Sequence, residues 1–506
     1  MAREKPTAVF MAFGTKGDVY PIAAIAAAFA SDQKQYNVIL ISHSAHESLS
    51  SHLAEKHVEY CSVSSPPVFS ADQNNDIAGM SESSFALQKQ VVTSDHRKEC
   101  YSAVERIFGD GPCLEGDLIV INFFALRFQE GWSLAELFHV RCILAAPYVV
   151  PYSAPASFER QFCKELPLLY KYLNDAPCDK VCWKDVIHWM WPLFTEHWGS
   201  WRCDDLHLSQ CPFTDPVTGI PTWHHRPQSP LVMYGFSKEV VECPAYWPSK
   251  VRICGFWFLP MEWQFSCTIC REISVVDSSE NKHAKEHLCL RHQALQNFLK
   301  TTPIFVGLSS IGSMGFMKDP HSFICVLQTV LEMANFRFIL FTAGYKPLEL
   351  AIQMFAVETS DQRCESGDCV SLFSGRLLCF SGSIPYGWLF PTCAAVIHHG
   401  GSGTTAAALQ AGAPQVVCPF MLDQFYWAER MYWLGVSSEP LHRNHLLPDK
   451  NDERNVQEAA HALSSAIHSA LSPKVKARAA QIAERISDED GVSEAVKALK
   501  EELGLV

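Results

Sequence analysis

The sequence predicts an α/β protein made of two doubly wound domains and a helical tail. Three observations predict it. Short apolar runs alternate with helix-forming stretches from the first residues onward, and the same rhythm restarts after residue 300 behind an aperiodic block rich in Pro, Trp and Cys. A chain of 506 residues also exceeds the size at which one hydrophobic core stops growing.

Taken in order, residues 8–13 read as a first strand, residues 14–18 as a tight loop, and residues 21–30 as a helix with Pro21 in its opening turn. Residues 36–41, 117–122 and 141–145 are further short apolar runs with helical stretches between them. Pro147, Pro151 and Pro155 break the rhythm, and Trp183, Trp189, Trp191, Trp198 and Trp201 crowd the stretch that follows. No period is readable from Pro244 to about Lys282. An N-terminal domain is therefore expected over 1–243 and an interdomain connection over 244–300. Alternation resumes at 303–308, 337–342, 376–380, 394–398 and 414–419, which places a second domain over 301–480. Residues 458–471 and 475–486 are Ala-rich helices of mixed charge, and 481–506 are expected to form a separate C-terminal helix.

Composition narrows the function classes. Apolar residues make up 48% of the chain and charged residues 19%, as in a globular protein. A net charge of −13 argues against a nucleic-acid partner, which calls for clustered Lys and Arg, and leaves room only for a local basic patch touching a membrane peripherally. Residues 1–6 lead directly into the first strand without an apolar signal region, and no apolar run reaches the roughly 18 residues of a membrane span. The expectation is a cytoplasmic protein whose 20 cysteines are reduced. No obligate protein partner is evident.

Chemistry concentrates in two loops. The first is Gly14-Thr15-Lys16-Gly17-Asp18 after the opening strand; the second is His398-His399-Gly400-Gly401-Ser402-Gly403-Thr404-Thr405, with Pro419, Asp423 and Gln424 close behind. Small residues let backbone N–H groups approach an anion, and a following helix turns its positive dipole end toward it, so the second loop is a natural seat for a diphosphate. This pattern resembles the donor-sugar motif of nucleotide-sugar glycosyltransferases of the GT-B fold. The first loop resembles the GTRGDVQP signature of sterol 3-beta-glucosyltransferases, with Lys16 in place of Arg and Tyr20 in place of Gln. The likeness recurs in Gly235-Phe236-Ser237, Tyr246-Trp247-Pro248, Cys254-Gly255-Phe256-Trp257-Phe258 and Phe305-Val306-Gly307-Leu308-Ser309-Ser310, and is weakest between about 62 and 230.

The resemblance implies two Rossmann-like domains facing across a cleft, with C-terminal helices crossing back to the N-terminal domain. It implies an inverting, metal-independent transfer of glucose from UDP-glucose to a sterol or similar hydrophobic alcohol, without a cofactor. A triterpenoid or phenolic acceptor, or a UDP-sugar- and lipid-binding homologue of weak activity, is the alternative; a dinucleotide-dependent oxidoreductase lacks its Gly-x-Gly-x-x-Gly fingerprint. Asp18 is the expected base, though Asp near the start of a helix is also a favoured capping residue. Donor contacts are expected from Thr15, Lys16, Ser310, Ser381, Ser383, Ile384, His398, His399, Gly401, Ser402, Gly403, Thr404, Asp423 and Gln424. Trp189, Trp191 and Trp198 are candidates to line the acceptor pocket, with core packing as the competing role.

Cys267-x2-Cys270 and Cys289-x2-His292 have the ligand types and inner spacings of zinc sites. In a chain so rich in Cys and His they are read as incidental to a polar loop, and no metal is expected.

Overall fold

The structure is a computed structural model that describes residues 3–68, 82–109, 113–122, 129–154, 156–191, 199–215, 217–222, 228–280, 288–358, 368–448 and 452–505. They fall into two compact units, the first drawn from residues 1–67, 79–258 and 489–506 and the second from 68–78 and 259–488.

In the first unit, strands β1 (Thr7–Met11), β2 (Asn37–His43), β3 (Val58–Val63), β4 (Leu118–Asn122), β5 (Arg141–Ala146), β6 (Val232–Tyr234) and β7 (Val251–Ile253) form one sheet in the order β3-β2-β1-β4-β5-β6-β7. Every pairing is parallel. β1 and β4 are buried at each position, which is why they read as unbroken apolar runs. The strand order runs outward from β1 in one direction and from β4 in the other. The carboxyl ends of β1 and β4 therefore flank a switch point, where an open α/β sheet leaves a crevice.

Helix α1 (Lys16–Asp32) follows β1 and starts five residues earlier than the sequence suggests, so Pro21 sits inside it rather than at its opening. The start is set by Thr15 and Asp18, whose mutual hydrogen bonds form a capping box. Helix α2 (Trp183–Trp189) belongs to the same unit.

In the second unit, β8 (Ile304–Gly307), β9 (Phe338–Phe341), β10 (Cys369–Leu372), β11 (Leu377–Phe380), β12 (Ala395–His398) and β13 (Gln415–Val417) lie in the order β10-β11-β9-β8-β12-β13, parallel except for the β10–β11 hairpin. The switch point here lies between β8 and β12. Helices α3 (Thr268–Glu280), α4 (Ser402–Gln410), α5 (Asp423–Leu434), α6 (Glu453–Ala470) and α7 (Pro473–Ile486) belong to this unit. A core led by Val306, Phe323, Leu327, Leu340, Ile397 and Leu463 lies under the sheet.

The last helix, α8 (Gly491–Leu503), returns to the first unit and packs along α1. Lys500 Nζ lies 2.7 Å from Asp32 Oδ2, and Ser237 Oγ donates to Glu489 Oε1 at 2.6 Å. Gly491 is needed for this docking, since a Cβ there would stand 2.3 Å from the Phe256 carbonyl oxygen.

Two expected boundaries move. β7 pairs with β6 as the seventh strand, so the first unit runs to residue 258 and the aperiodic block is not wholly a connection. At the other end α7 stays with the second unit, packed on α4, and the crossing falls after residue 488 rather than at 481. Among the described residues, no helix is long and apolar enough to cross a membrane.

Candidate active site

At the first switch point β1 ends and the chain turns through Gly14, whose φ of +112° is a conformation that side chains rarely tolerate. A Cβ on Gly14 would lie 2.5 Å from Asp18 Oδ2, so the glycine is what lets the carboxylate fold back over the loop. Asp18 Oδ2 accepts from the Thr15 N–H at 2.7 Å and from the Thr15 hydroxyl at 2.8 Å. Its other oxygen, Oδ1, makes no hydrogen bond among the described residues. Burial pushes the Asp18 pKa up to about 6, with the two Thr15 bonds pulling the other way.

Capping and proton acceptance are thus divided between the two oxygens of one carboxyl group. Thr15, expected among the donor contacts, gives both its N–H and its hydroxyl hydrogen to Asp18. Lys16 is exposed, with its ammonium 5.8 Å from the centre of the Tyr20 ring. The two departures from the sterol glucosyltransferase signature therefore face one another.

Asn122, which no sequence motif marks, fixes this loop. Its Nδ2 donates to the Asp18 carbonyl at 3.0 Å and its Oδ1 accepts from the Phe13 N–H at 3.4 Å. The available signal was one polar residue closing the apolar run of β4 beside the switch point. His46 adds a second tie, donating from Nε2 to the Gly14 carbonyl at 2.9 Å.

At the second switch point the two adjacent histidines separate in role. His398 is fully buried; its Nδ1 accepts from the Gly400 N–H at 3.1 Å, which leaves Nε2 protonated and donating to Gln415 Oε1 at 2.9 Å. Burial, reinforced by neighbouring His399, holds its pKa down at about 3. With both ring nitrogens engaged, His398 is a brace for the glycine loop, not the diphosphate contact expected of it. His399 Nε2 lies 3.4 Å from Ser310 Oγ, joining the loop after β12 to the turn after β8. Burial lowers its pKa to about 4, so it acts as a neutral imidazole.

Gly400 has φ +85°, and a Cβ there would meet the Gln424 carbonyl oxygen at 2.9 Å and Val417 Cγ1 at 3.0 Å. The glycine loop and the start of α5 are therefore in direct contact. Gly401 precedes α4, and the first intrahelical bond runs from the Thr405 N–H to the Gly401 carbonyl at 3.0 Å. The N–H groups of Ser402, Gly403 and Thr404 come before it and present three donors at the positive end of the helix dipole.

Leu422, with φ +51°, is a strained residue immediately before Asp423. Asp423 is buried and accepts from Trp427 Nε1 at 3.0 Å. Gln424 Oε1 accepts from the Phe420 and Met421 N–H groups at 2.9 and 3.1 Å. Gln424 Nε2 makes no hydrogen bond among the described residues.

Ser381 donates from N and Oγ to the Asp368 carbonyl at 3.0 and 3.3 Å, and Ile384 is buried. Ser383 has both backbone groups taken by Ser266: its N–H donates to Ser266 Oγ at 2.9 Å and its carbonyl accepts from the Ser266 N–H at 3.0 Å. Ser383, expected among the donor contacts, is thus engaged through its backbone by a residue 117 positions away.

Of the expected acceptor residues, Trp189 is 1% exposed and its ring centre lies 4.4 Å from that of Trp132. It is core, because a ring packed on all sides has no face left for a ligand. Trp191 is partly buried with its indole N–H unpartnered among the described residues, and Trp198 lies outside them.

Residues 376–500 match the family described as erythromycin biosynthesis protein CIII-like, C-terminal domain. A sterol 3-beta-glucosyltransferase of Arabidopsis thaliana is 24% identical over 424 residues, covering 81% of this chain and 55% of that protein. A second from the same plant is 44% identical over 116 residues, 23% of this chain and 16% of the relative, and one from Yarrowia lipolytica is 26% identical, covering 72% and 21%. The chain spans about half the length of the first relative and a smaller share of the other two.

Among solved structures, the calicheamicin glycosyltransferase CalG4 superposes with a TM-score of 0.57 at 15% identity, covering 100% of both chains. A UDP-glucose: anthocyanidin 3-O-glucosyltransferase in complex with UDP gives 0.57 at 12% identity, again covering 100% of both. The chain has the GT-B fold and is similar over most of its length to sterol 3-beta-glucosyltransferases. The GT-B architecture gives Asp18 and the His399–Ser310 pair equivalent placements, each at the switch point of its own sheet.

Proposed function

We propose that the chain catalyses inverting, metal-independent transfer of glucose from UDP-glucose to the hydroxyl of a sterol or similar hydrophobic alcohol. The observation that carries this reading is Asp18, whose Oδ2 is tied to Thr15 while Oδ1 makes no hydrogen bond among the described residues and burial pushes the carboxyl pKa up to about 6. A base poised near the working pH suits proton removal from an alcohol. In the reaction the acceptor hydroxyl passes its proton to Asp18 Oδ1 as its oxygen bonds to C1 of glucose. The bond from C1 to the β-phosphate oxygen breaks with inversion, and UDP departs with the electron pair.

The growing negative charge on UDP is met by the N–H groups of Ser402, Gly403 and Thr404 and by the dipole of α4, with His399 and Ser310 alongside. Gln424 Nε2 and Asp423 supply the grip on the sugar. The relatives named as sterol 3-beta-glucosyltransferases support the choice of acceptor class.

UDP release measured with purified protein, UDP-glucose and a panel of sterols, triterpenoids and phenolics tests the reading. Turnover is expected with sterols and to be weak with phenolics; UDP release with none of the panel above the protein-free rate defeats it. Gln424→Ala gives a second check. Loss of one neutral hydrogen bond, about 0.5–1.5 kcal/mol, should weaken UDP-glucose about 2- to 10-fold in calorimetry while UDP itself changes little. Equal weakening of both ligands would make Gln424 a brace for residues 420–421 and nothing more.

A further inference from the structure

Among the described residues, Cys267, Cys270, Cys289 and His292 bring one ligand atom each to within 4.8 Å of one another. By sequence alone they are two loose pairs set apart in a chain rich in Cys and His, and read as incidental to a polar loop. The fold closes that gap inside the second unit. Cys267 stands just before α3 and Cys270 lies in its opening turn, while Cys289 and His292 begin and end the short 3-10 turn Leu290–His292. Each pair is spaced i, i+3 on a helical turn, so both members face the same way.

We propose that these four side chains form a closed, structural zinc site. Zinc bound at about 2.3 Å to sulfur and about 2.0–2.1 Å to nitrogen in a tetrahedron holds two sulfurs about 3.8 Å apart, and sulfur and nitrogen about 3.5 Å apart. Cys267 Sγ and Cys289 Sγ are separated by 3.8 Å, and His292 Nδ1 lies 3.3 Å from Cys270 Sγ and 3.2 Å from Cys289 Sγ. A disulfide would need its sulfurs at about 2.05 Å.

The surroundings are those of a metal centre. The Cys289 N–H donates to Cys270 Sγ at 3.4 Å, and His292 Nε2 faces Asp368 Oδ2 at 3.4 Å, the carboxylate–imidazole arrangement that fixes the tautomer of a ligating histidine. Cys270, Cys289 and His292 are 2%, 5% and 5% exposed, so the ion is shielded from solvent. Three thiolates and an imidazole favour zinc over magnesium or calcium, and four protein ligands leave no open position for catalysis. Binding releases the thiol protons to solvent. The ion ties the start of α3 to the turn after it and, through Asp368, to the start of β10. This site is independent of the proposed transfer, which needs no metal.

Full-length protein, expressed and purified under reducing conditions without added metal or chelator, should contain about one zinc per chain by mass spectrometry of the metal. Cys270→Ser and His292→Asn should lose it, while Cys243→Ser, at an exposed cysteine of the first unit, should keep it. Asp368→Asn should keep the ion but weaken it about 10- to 100-fold in chelator competition. If the ligand variants fail to fold, the wild type still decides: refilled with cobalt(II), it should show thiolate-to-cobalt absorption. Less than about a tenth of an equivalent of zinc, both as purified and after incubation with zinc and gel filtration, overturns the site, as does full retention of zinc by Cys270→Ser.

Discussion

Asp18→Asn is expected to lower turnover by about 10²–10⁴-fold, the usual share of a general base, while UDP-glucose affinity stays within about twofold. Asn keeps an oxygen to accept from the Thr15 N–H and hydroxyl, so the capping box survives and only proton acceptance is lost. The pH dependence gives an independent signature. Burial raises the Asp18 pKa from 3.8 to about 6. In wild type, kcat/KM should fall as pH drops below about 6 and be flat above it, and the variant's residual rate should lack that step.

Stability moves the other way. Between pH 3.8 and about 6 the folded protein binds a proton at Asp18 that the unfolded chain has lost, so stability declines as pH rises through this window and is level above it. The loss is on the order of 3 kcal/mol, from about 1.4 kcal/mol per pKa unit. Asn removes it, so the melting temperature of the variant relative to wild type should rise between pH 4 and pH 7. Near-normal turnover in Asp18→Asn on its preferred acceptor would leave this carboxyl as a helix cap alone.

Gly400→Val should cost both stability and donor binding. The left-handed backbone costs a side chain about 1–2 kcal/mol, and the new Cβ meets the carbonyl of Gln424, which cannot swing away as a side chain does. The loop must shift, and losing one or two charge-assisted hydrogen bonds to the diphosphate at about 1.5–3 kcal/mol each weakens UDP at least about 10-fold. Gly401→Ala is the milder contrast: a Cβ there meets only the His399 ring, at 2.6 Å from Nε2, and the ring must turn from Ser310 to make room, so UDP should weaken less than in Gly400→Val. UDP titration of both variants checks the assignment, and unchanged affinity in Gly400→Val sinks it.

Much of this was legible in sequence for a physical reason. Parallel strands buried on both faces leave long apolar runs, and loops that cradle a ligand leave dense small residues. β1, β4, β8 and β12 and the two loops are of that kind. β3, β6, β7 and β10 are three to six residues long and carry mixed burial or lie among prolines and tryptophans, so no period marks them. His398 and His399 look alike in a string, yet the first closes β12 and the second opens the loop after it, and only the fold shows that one braces and the other faces Ser310. The Ser266–Ser383 pairing and the convergence of Cys267, Cys270, Cys289 and His292 depend on contacts between distant stretches, which local patterns do not encode. Asn122 was readable in principle, as a lone polar residue ending a buried strand.

The return of α8 to α1 has a consequence for the order of events on the ribosome. The first sheet is fully synthesised by residue 253, but the helix that covers α1 is made only after the roughly 230 residues of the second unit. At about 5–20 residues per second, the exposed flank of α1 waits roughly 10–50 s for its partner. A nascent chain stalled before α8 should therefore present the apolar side of α1 to chaperones, and release of the completed chain should end that exposure.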